Sequence, residues 1–234
     1  MRLPLPTIAS IRDFYAFEQH VKTCRKHRGL EMVPEWYQVP VFYFSNPTGV
    51  IGPDDPVTAP KGSKALDYEL ELACIIGHAG RDIPPDDNAL DYVAGFTIMN
   101  DWSARDLQRV EMAVGLGPSK GKDFATTLGP ELVTFDELKD RYRDGRLNLE
   151  MSARVNGREL SRGNSSSMYW TWPQLIAHAS RDVWLRPGDV LGSGTVGTGC
   201  ILELTPEAVG GWLKPGDVVE LTIERLGTLR NRVA

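Results

Sequence analysis

Cysteine is scarce in this sequence, and its placement excludes several classes of protein. Three cysteines occur in 234 residues, at Cys24, Cys74 and Cys200, and none belongs to a CxxC or CxxH pattern. A sparse and odd set is typical of structural thiols in a reducing compartment, not of a disulfide framework. Because the spacing contains no recognisable zinc motif, the sequence predicts no zinc site.

The sequence also lacks a basic excess and long apolar runs. Lys and Arg number 26 against 31 Asp and Glu, a net charge of −5, whereas a surface for nucleic acid or anionic lipid needs surplus positive charge. No run approaches the roughly 18 apolar residues of a membrane span, and the opening MRLPLPTIAS is too short and too broken by proline for a signal peptide. We therefore expect a cytoplasmic protein with no nucleic-acid or membrane partner.

Internal repeats and a nucleotide-binding glycine motif are absent as well. Without strand–helix alternation or GxGxxG, a doubly wound fold is not indicated. The content of 41% hydrophobic residues suffices for a full core at this length. Strand-like segments outnumber helical ones, so the sequence predicts one α+β, mainly β domain over 1–234. Within it, residues 1–60 are expected to form a helix and loop segment that packs on the rest.

Local patterns predict the elements of this domain. Ser10 can cap a helix over 10–29 that Gly29 ends, and a second helix is expected to begin near Asp101 or Ser103. The remaining predictions are a strand at 39–44, a strand at 68–77, a hairpin turning at Asn156-Gly157, a helix at 171–180 and Pro-Gly-Asp turns at 187–189 and 215–217.

The stretch LDYELELACIIG at 66–77 carries two carboxylates directly before an apolar run. Alternate side chains of a strand share a face, so Asp67, Glu69 and Glu71 are expected on one side of it. That side is either the solvated face of a half-buried strand or half of a metal site. The stretch by itself favours the solvated face, because alternation is typical of ordinary exposed strands.

Seven motifs follow one another along the chain: DFYAFEQH, LDYELELACIIG, MNDWSARDLQ, GKDFATT, MYWTWPQLIAHAS, LRPGDVLGSGTVG and GCILEL. In content and order they resemble the catalytic domain of fumarylacetoacetase and the wider fumarylacetoacetate hydrolase family. The resemblance extends from about Asp13 to the C-terminus. It implies a fumarylacetoacetase-like mixed β-sandwich roll with few helices.

The resemblance implies a metal bound by carboxylates. Glu69, Glu71 and Asp101 match the family's core ligands, and Asp13 matches a fourth carboxylate. Clustered carboxylates repel one another unless a cation neutralises them, and an all-oxygen set suits a hard ion. We therefore expect Mg²⁺, with Ca²⁺ or Mn²⁺ as alternatives. Asp101 taken alone also suits a helix cap.

The resemblance also implies a proton-transferring pair. His20 matches the catalytic histidine, and Glu203 matches the carboxylate that orients it; imidazole titrates near neutral pH, and a carboxylate partner fixes its tautomer. Alternatively, His20 lies on a polar helix face and Glu203 on the outer face of a terminal strand, and His27 is a rival base. Thr23 stands where HxxE relatives carry the orienting glutamate, which favours the distant Glu203 as the partner.

Further positions match the family's substrate and transition-state contacts. Arg105 and Gln108 are three residues apart and share a helix face, and Lys122 lies in a glycine-flanked loop. A surface ion pair and a solvated lysine are the ordinary alternatives. Gly29 stands where the family places an arginine. The resemblance assigns a catalytic role to Lys122 and substrate binding to Tyr15, Tyr43, Arg105, Gln108 and Thr195.

These assignments predict a hydrolase that acts on carbon–carbon bonds in ketonic substances. Its expected substrate is a small β-diketo acid of the fumarylacetoacetate or acylpyruvate type, met in aromatic-compound catabolism, because such a bond breaks when the carbanion leaves as an enolate. An oxaloacetate-type decarboxylase or a 2-hydroxy-dienoate isomerase would use the same metal enolate. A non-enzymatic calcium-binding module is a more remote alternative. By analogy with relatives, we expect a homodimer.

Overall fold

Two packed β-sheets organise the chain in a computed structural model that describes residues 7–234. Residues 1–6 lie outside the described residues. They are the start of the predicted domain and most of the stretch MRLPLPTIAS. The strands are β1 (Ser10–Phe14), β2 (Phe42–Ser45), β3 (Val50–Ile51), β4 (Pro56–Val57), β5 (Leu66–Asp67), β6 (Leu70–Ile76), β7 (Val93–Asp101), β8 (Ser103–Ala104), β9 (Thr126–Val133), β10 (Tyr142–Arg143), β11 (Arg146–Leu147), β12 (Glu150–Val155), β13 (Arg158–Asn164), β14 (Asp189–Gly192), β15 (Val218–Ile223) and β16 (Gly227–Val233).

Helices are short and lie between these strands. The α-helices are α1 (Glu18–Lys26), α2 (Arg105–Val114), α3 (Phe135–Leu138), α4 (Trp172–Ser180), α5 (Ile201–Leu204) and α6 (Pro206–Val209), and 3₁₀ turns occur at Pro34–Tyr37, Pro47–Gly49, Asp87–Tyr92, Lys139–Arg141 and Ser165–Ser167. In the described part of the chain, α1, α2 and α5 carry residues that matter for the site.

The sheets enclose the main core between them. The large mixed sheet has the order β2-β1-β14-β6-β7-β9-β3, and the second sheet has the order β13-β12-β15-β16-β4. Leu72 and Phe96 of the large sheet share a core with Met151 and Leu221 of the second sheet. Ile75 and its neighbours form a smaller core on the opposite face. This architecture confirms the predicted α+β, mainly β fold with few helices.

The predicted helix over 10–29 is wrong in its first half. Residues Ser10–Phe14 form β1, which pairs with β2 on one side and with β14 on the other, and the helix begins only at Glu18. Phe14 recurs with Phe17 and Val21 at helical spacing, but the backbone groups of this segment are paired on both sides within the sheet. Tertiary pairing therefore overrides the local periodicity.

The second helix also begins later than predicted. Asp101 is the last residue of β7, and α2 begins at Arg105 with Ala104 in the N-cap position. Asp101 is therefore not a helix cap. Its backbone instead pairs with Thr126 of the neighbouring strand β9, which leaves its carboxylate free for other partners.

Other local predictions are confirmed. Asn156 and Gly157 both have positive φ, 52° and 79°, and connect β12 to β13 as a hairpin. The helix predicted at 171–180 is α4, and strands follow both Pro-Gly-Asp turns. Among the described residues, no helix is both long and apolar enough to cross a membrane.

Helix α4 begins with a reciprocal capping interaction, which gives a test of the local fold. Gln174 N donates to Thr171 Oγ1, while Thr171 N donates to Gln174 Oε1 at 2.9 Å. We expect Thr171→Ala to lower the free energy of unfolding by about 1 kcal/mol, measured by urea denaturation. Thr171→Ser retains the hydroxyl and should lose much less. Equal losses in the two variants would contradict the capping role.

Candidate active site

Three strand ends of the large sheet meet at one edge. β1 runs parallel to β14, β14 antiparallel to β6, and β6 antiparallel to β7. The end of β1, the start of β6 and the end of β7 therefore lie side by side. Asp13, Glu71 and Asp101 occupy these positions, and Glu69 joins them from the connection between β5 and β6. Strand direction thus brings together carboxylates that are far apart in the chain.

The four predicted metal ligands form one buried cluster. One carboxylate oxygen from each of Asp13, Glu69, Glu71 and Asp101 lies within 4.8 Å of the others. Glu71 and Asp101 are fully buried, and Glu69 is 4% exposed. The solvated-face interpretation of the 66–77 strand is therefore wrong. The reason is that β6 lies between β14 and β7 with its two faces covered.

Two cations neutralise Glu69. Lys122 Nζ donates to Glu69 Oε2 at 2.6 Å, and Arg105 Nη2 donates to Glu69 Oε1 at 2.8 Å. Burial opposes the charged form, but Lys122, Arg105 and His20 outweigh burial and lower the pKa of Glu69. Glu69 is therefore a stable anion at neutral pH even in this dry position.

The other carboxylates of the cluster lack sufficient compensation. Burial and the charge of Asp101 raise the pKa of Asp13 well above its usual range, and burial and the charge of Asp13 do the same for Glu71. Burial also raises the pKa of Asp101, although Lys122 opposes the shift. Burial thus disfavours the charged forms of these groups, and a bound cation would offset that penalty.

Unpartnered oxygens show that a hard divalent ion fits this cluster. Asp13 Oδ1, Glu71 Oε2 and Asp101 Oδ1 are buried and have no hydrogen-bond partner among the described residues. Such atoms are costly to bury unless something pairs with them. An all-oxygen, anionic donor set is the type that Mg²⁺, Ca²⁺ and Mn²⁺ prefer. The donors present therefore fit the predicted metal.

Two predicted substrate-binding residues contact the carboxylates themselves. Tyr43 OH donates to Asp101 Oδ2 at 2.5 Å, and Thr195 Oγ1 donates to Glu71 Oε1 at 3.3 Å. Lys122 Nζ also donates to Asp101 Oδ2 at 2.6 Å. These contacts orient the carboxylates toward a common centre. Contact of the same three side chains with a substrate stays a prediction.

Arg105 lies at the start of α2 as part of a buried network and not as a surface ion pair. Its Nε donates to Asp67 Oδ2 at 2.8 Å, and its Nη1 donates to Gln108 Oε1 at 3.0 Å. The side chain is 6% exposed. The predicted i,i+3 relation of Arg105 and Gln108 is confirmed. Gln108 in turn holds the guanidinium against Glu69.

Asp67 is a residue of the site that was not predicted from the sequence. Asp67 is fully buried, and besides Arg105 it accepts hydrogen bonds from Ile201 N at 2.8 Å and Leu202 N at 3.0 Å. It therefore ties the start of α5, which carries Glu203, to the Arg105 network. The period-two pattern that placed Asp67 on the same side as Glu69 and Glu71 was a signal that could have found it.

His20 and Glu203 form a buried pair beside the carboxylates. His20 Nδ1 donates to Glu203 Oε1 at 2.5 Å, across 183 residues of sequence, and Thr198 N donates to Glu203 Oε2 at 3.1 Å. Glu203 lies on helix α5 and not on a terminal strand, and His20 is buried and not on a polar helix face. Tyr15 packs edge-on against the imidazole with ring centroids 5.4 Å apart.

The imidazole of His20 is strongly basic in this environment. Burial lowers its pKa, but hydrogen bonds with Cys200 and Glu203 outweigh burial and raise the pKa to about 10. Without added positive charge nearby, His20 is therefore protonated at neutral pH. The rival base His27 is the exposed C-cap residue of α1. None of the described hydrogen bonds joins its ring to a carboxylate.

Open clefts lie elsewhere on the molecule. One cleft of about 500 Å³ is lined by Arg146, Tyr169, Trp170 and neighbouring residues, and another of about 390 Å³ lies between Pro84 and Trp170. Neither is lined by the four carboxylates or by the His20–Glu203 pair. These open clefts therefore do not coincide with the clustered ionisable residues. We take the buried acidic cluster as the candidate active site, because its carboxylates lack compensating charge.

Comparison with known families identifies the family of this chain. The model of the fumarylacetoacetate hydrolase C-terminal domain matches residues 9–234. The chain therefore belongs to the fumarylacetoacetate hydrolase family, as the ordered motifs predicted.

Named relatives within the family catalyse different reactions. Fumarylacetoacetase of Arabidopsis thaliana is 33% identical over 85% of this chain, and the mitochondrial oxaloacetate tautomerase fahd2 of Xenopus laevis is 37% identical over 83% of it. The chain spans 58% of the length of each of these relatives. The family is thus one of enzymes that include hydrolases and tautomerases, and similarity does not fix one reaction.

A solved structure supports the fold. Fumarylpyruvate hydrolase of Pseudomonas aeruginosa, determined in complex with Mn²⁺ and pyruvate, superimposes with a TM-score of 0.78. The match covers 97% of this chain and 90% of that one, at 24% sequence identity. The fumarylacetoacetase-like sandwich implied by the motifs is therefore confirmed.

The His20–Glu203 pair gives a prediction that nuclear magnetic resonance can check. With a folded pKa of about 10 against about 6.5 when unfolded, protonated His20 stabilises the fold most fully below pH 6.5. That contribution is lost as the pH rises through 10. In long-range ¹H–¹⁵N spectra without divalent metal, we expect His20 to remain protonated from pH 6 to pH 8.

A variant and an internal control sharpen this measurement. Glu203→Gln removes the carboxylate while burial remains, so the His20 pKa should fall. His178 serves as the internal control, because burial and then Arg181 lower its pKa. It should lose its proton below the usual histidine range in both proteins. Loss of the His20 proton at or below pH 6.5 in the wild type would contradict the assignment.

Proposed function

We propose that this chain is a metal-dependent hydrolase that cleaves a carbon–carbon bond in a β-diketo acid, of the fumarylacetoacetate or acylpyruvate type, in aromatic-compound catabolism. The observation that supports the proposal best is the buried His20–Glu203 pair beside a four-carboxylate cluster. Hydrolysis needs a base for water as well as a cation. Isomerisation of an enol moves a proton but needs no attacking water, so the pair favours the hydrolase in its role as the base that activates water.

The carboxylates Asp13, Glu69, Glu71 and Asp101 would hold the cation, for which Mg²⁺ is our first expectation and Ca²⁺ or Mn²⁺ the alternatives. When bound, a divalent ion would supply Lewis-acid stabilisation of the charge that develops on the diketone oxygens. The relation to a fumarylpyruvate hydrolase that was crystallised with Mn²⁺ and pyruvate supports an acylpyruvate-type substrate for this chain.

The protein's own residues would carry the proton and hold the substrate. His20 would accept a proton from water, because a cation held by the carboxylates would disfavour the nearby imidazolium and would lower the His20 pKa. Glu203 stabilises the imidazolium that forms. Lys122 and Arg105, released in part from Glu69, would donate hydrogen bonds to the tetrahedral oxyanion and the ketone oxygens, with Gln108 beside them.

Activity of His20 variants tests this proposal. In Mg²⁺ or Mn²⁺, we expect the wild type to cleave acylpyruvates and EDTA to abolish the cleavage. His20→Ala should lower kcat/KM about 10²- to 10⁴-fold, because it removes general-base assistance. His27→Ala is the matched control on the same helix and should stay near the wild-type rate. Absence of metal-dependent cleavage of any β-diketo acid by the wild type would show that the proposal is wrong.

A tautomerase or decarboxylase is the second candidate, favoured by the similarity to oxaloacetate tautomerase. Enol–keto conversion or decarboxylation of oxaloacetate requires no attacking water. Oxaloacetate turnover should therefore survive His20→Ala better than acylpyruvate hydrolysis does. If the wild type turns over oxaloacetate but hydrolyses no acylpyruvate, the second candidate replaces the first.

We also propose that the chain forms a homodimer. Large apolar side chains are exposed along and just after α2, with Val114 80% and Leu116 96% exposed, and Phe44 is 65% exposed on the edge strand β2. Association would remove such surface from water. Light scattering after size exclusion should give twice the chain mass of 26.0 kDa. A concentration-independent monomer mass would contradict this.

A further inference from the structure

Two cysteines lie beside the proposed proton-transfer pair. Cys24, one helical turn after His20 on α1, places its Sγ 3.7 Å from His20 Nε2 and 3.8 Å from Nδ1. Cys200 donates from Sγ to Glu203 Oε1 at 3.9 Å. Both thiols are free and buried. The imidazole and carboxylate thus have sulfur neighbours from two separate parts of the chain.

These side chains have the composition of a metal site. One ligand atom from each of His20, Cys200 and Glu203 lies within 4.8 Å of the other two, and the Cys24 sulfur is against the same imidazole. Thiolate and imidazole are the donors that borderline-soft ions such as Zn²⁺ select, whereas Mg²⁺ and Ca²⁺ require oxygen. The donor set therefore differs in kind from the all-oxygen cluster nearby.

The backbone around this group is held in place. Cys200 occupies the N-cap position of α5, whose first two N–H groups donate to the buried carboxylate of Asp67. Thr198 N holds the second oxygen of Glu203. On the other side, α1 presents His20 and Cys24 from consecutive turns. The backbone that carries the donors is thus held in place by hydrogen bonds on both sides of the group.

We propose that His20, Cys200 and Glu203, with the Cys24 thiol beside the imidazole as a fourth donor, form a second metal site, which binds a thiophilic divalent cation of the Zn²⁺ type. In tetrahedral zinc, bond lengths of about 2.3 Å to sulfur and about 2.0 Å to nitrogen place neighbouring donors about 3.5 Å apart. With His20 Nδ1 as the nitrogen ligand, the observed separations are close to that value: 3.8 Å from Cys24 Sγ to Nδ1 and 3.9 Å from Cys200 Sγ to Glu203 Oε1. His20 Nδ1 and Glu203 Oε1, now at 2.5 Å, would part by less than 1 Å.

The site has a consequence for the proposed function, and only this consequence rests on that function. A cation on His20 Nδ1 would leave the remaining ring proton on Nε2, so the imidazole could not accept a proton from water, and the cation would also occupy the carboxylate that stabilises the imidazolium. Zn²⁺ would then inhibit an enzyme that Mg²⁺ activates. Two metals would act in opposite directions through neighbouring donor sets of different chemistry.

Zinc binding to the full chain in excess Mg²⁺ tests the site. Mg²⁺ occupies the oxygen donors and leaves thiolates free, so competition with a chromophoric chelator should still report one tight Zn²⁺ per chain. X-ray absorption at the zinc edge should show sulfur neighbours at about 2.3 Å. Zinc surrounded only by oxygen and nitrogen in the wild-type protein would overturn the proposal without any variant.

Cysteine variants assign the sulfur atoms. We expect Cys200→Ala and Cys24→Ala each to weaken zinc binding at least 10-fold and to lower the sulfur content of the zinc shell. Cys74→Ala is the matched control, since Cys74 is equally buried but lies in strand β6 within the main core; it should bind zinc as the wild type does. Unchanged affinity and sulfur coordination in Cys200→Ala would overturn the assignment.

Activity measurements separate this inference from the proposed function. If acylpyruvate cleavage exists, added Zn²⁺ should suppress it at least 10-fold in excess Mg²⁺, and a zinc chelator should restore it. If sulfur-coordinated zinc is found but no hydrolase activity exists, the site stands and the hydrolase proposal fails. If Mg²⁺-dependent hydrolysis exists and the bound zinc has no sulfur ligand, the second metal site is wrong and the hydrolase proposal stands.

Discussion

Compensation of buried negative charge is the constraint on which the active region depends. Four carboxylates lie within a few ångströms of one another at a sheet edge where burial would favour their protonation. Lys122 and Arg105 satisfy one of them, Glu69, and leave unpaired oxygens on the others. The cluster therefore carries negative charge that a bound cation would compensate, and a cation is also what the proposed chemistry requires. Binding of a cation by the carboxylates would thus serve both the stability of the fold and the proposed activity.

The sheet supplies the geometry of this region at low conformational cost. Strands are rigid, and neighbouring strand ends lie about 4.8 Å apart in the hydrogen-bonding direction. Carboxylates placed at the ends of β1 and β7 and at the start of β6 therefore converge with little help from loops. Asp67 links the carboxylate cluster to the imidazole pair, because it connects Arg105 to the helix that carries Glu203. The carboxylate cluster and the imidazole pair are in this way one connected assembly.

The two donor groups within that assembly differ in the type of their ligand atoms. On one side the donors are oxygen atoms alone, and on the other an imidazole and a carboxylate have thiols beside them. Hard and soft ions distinguish such surroundings by ligand type more than by size.

The sequence by itself determined the fold class and the family, and it singled out the four carboxylates. These features can be read from short ordered motifs such as GCILEL and the ELE of 69–71. The Asn156-Gly157 hairpin was equally local, since the turn needs only its own φ values. Only the tertiary structure decided that Ser10–Phe14 is a strand, that Asp67 is a buried anchor and that Cys24 lies beside His20. Those features depend on pairing and packing between segments far apart in the chain, which local periodicity does not encode.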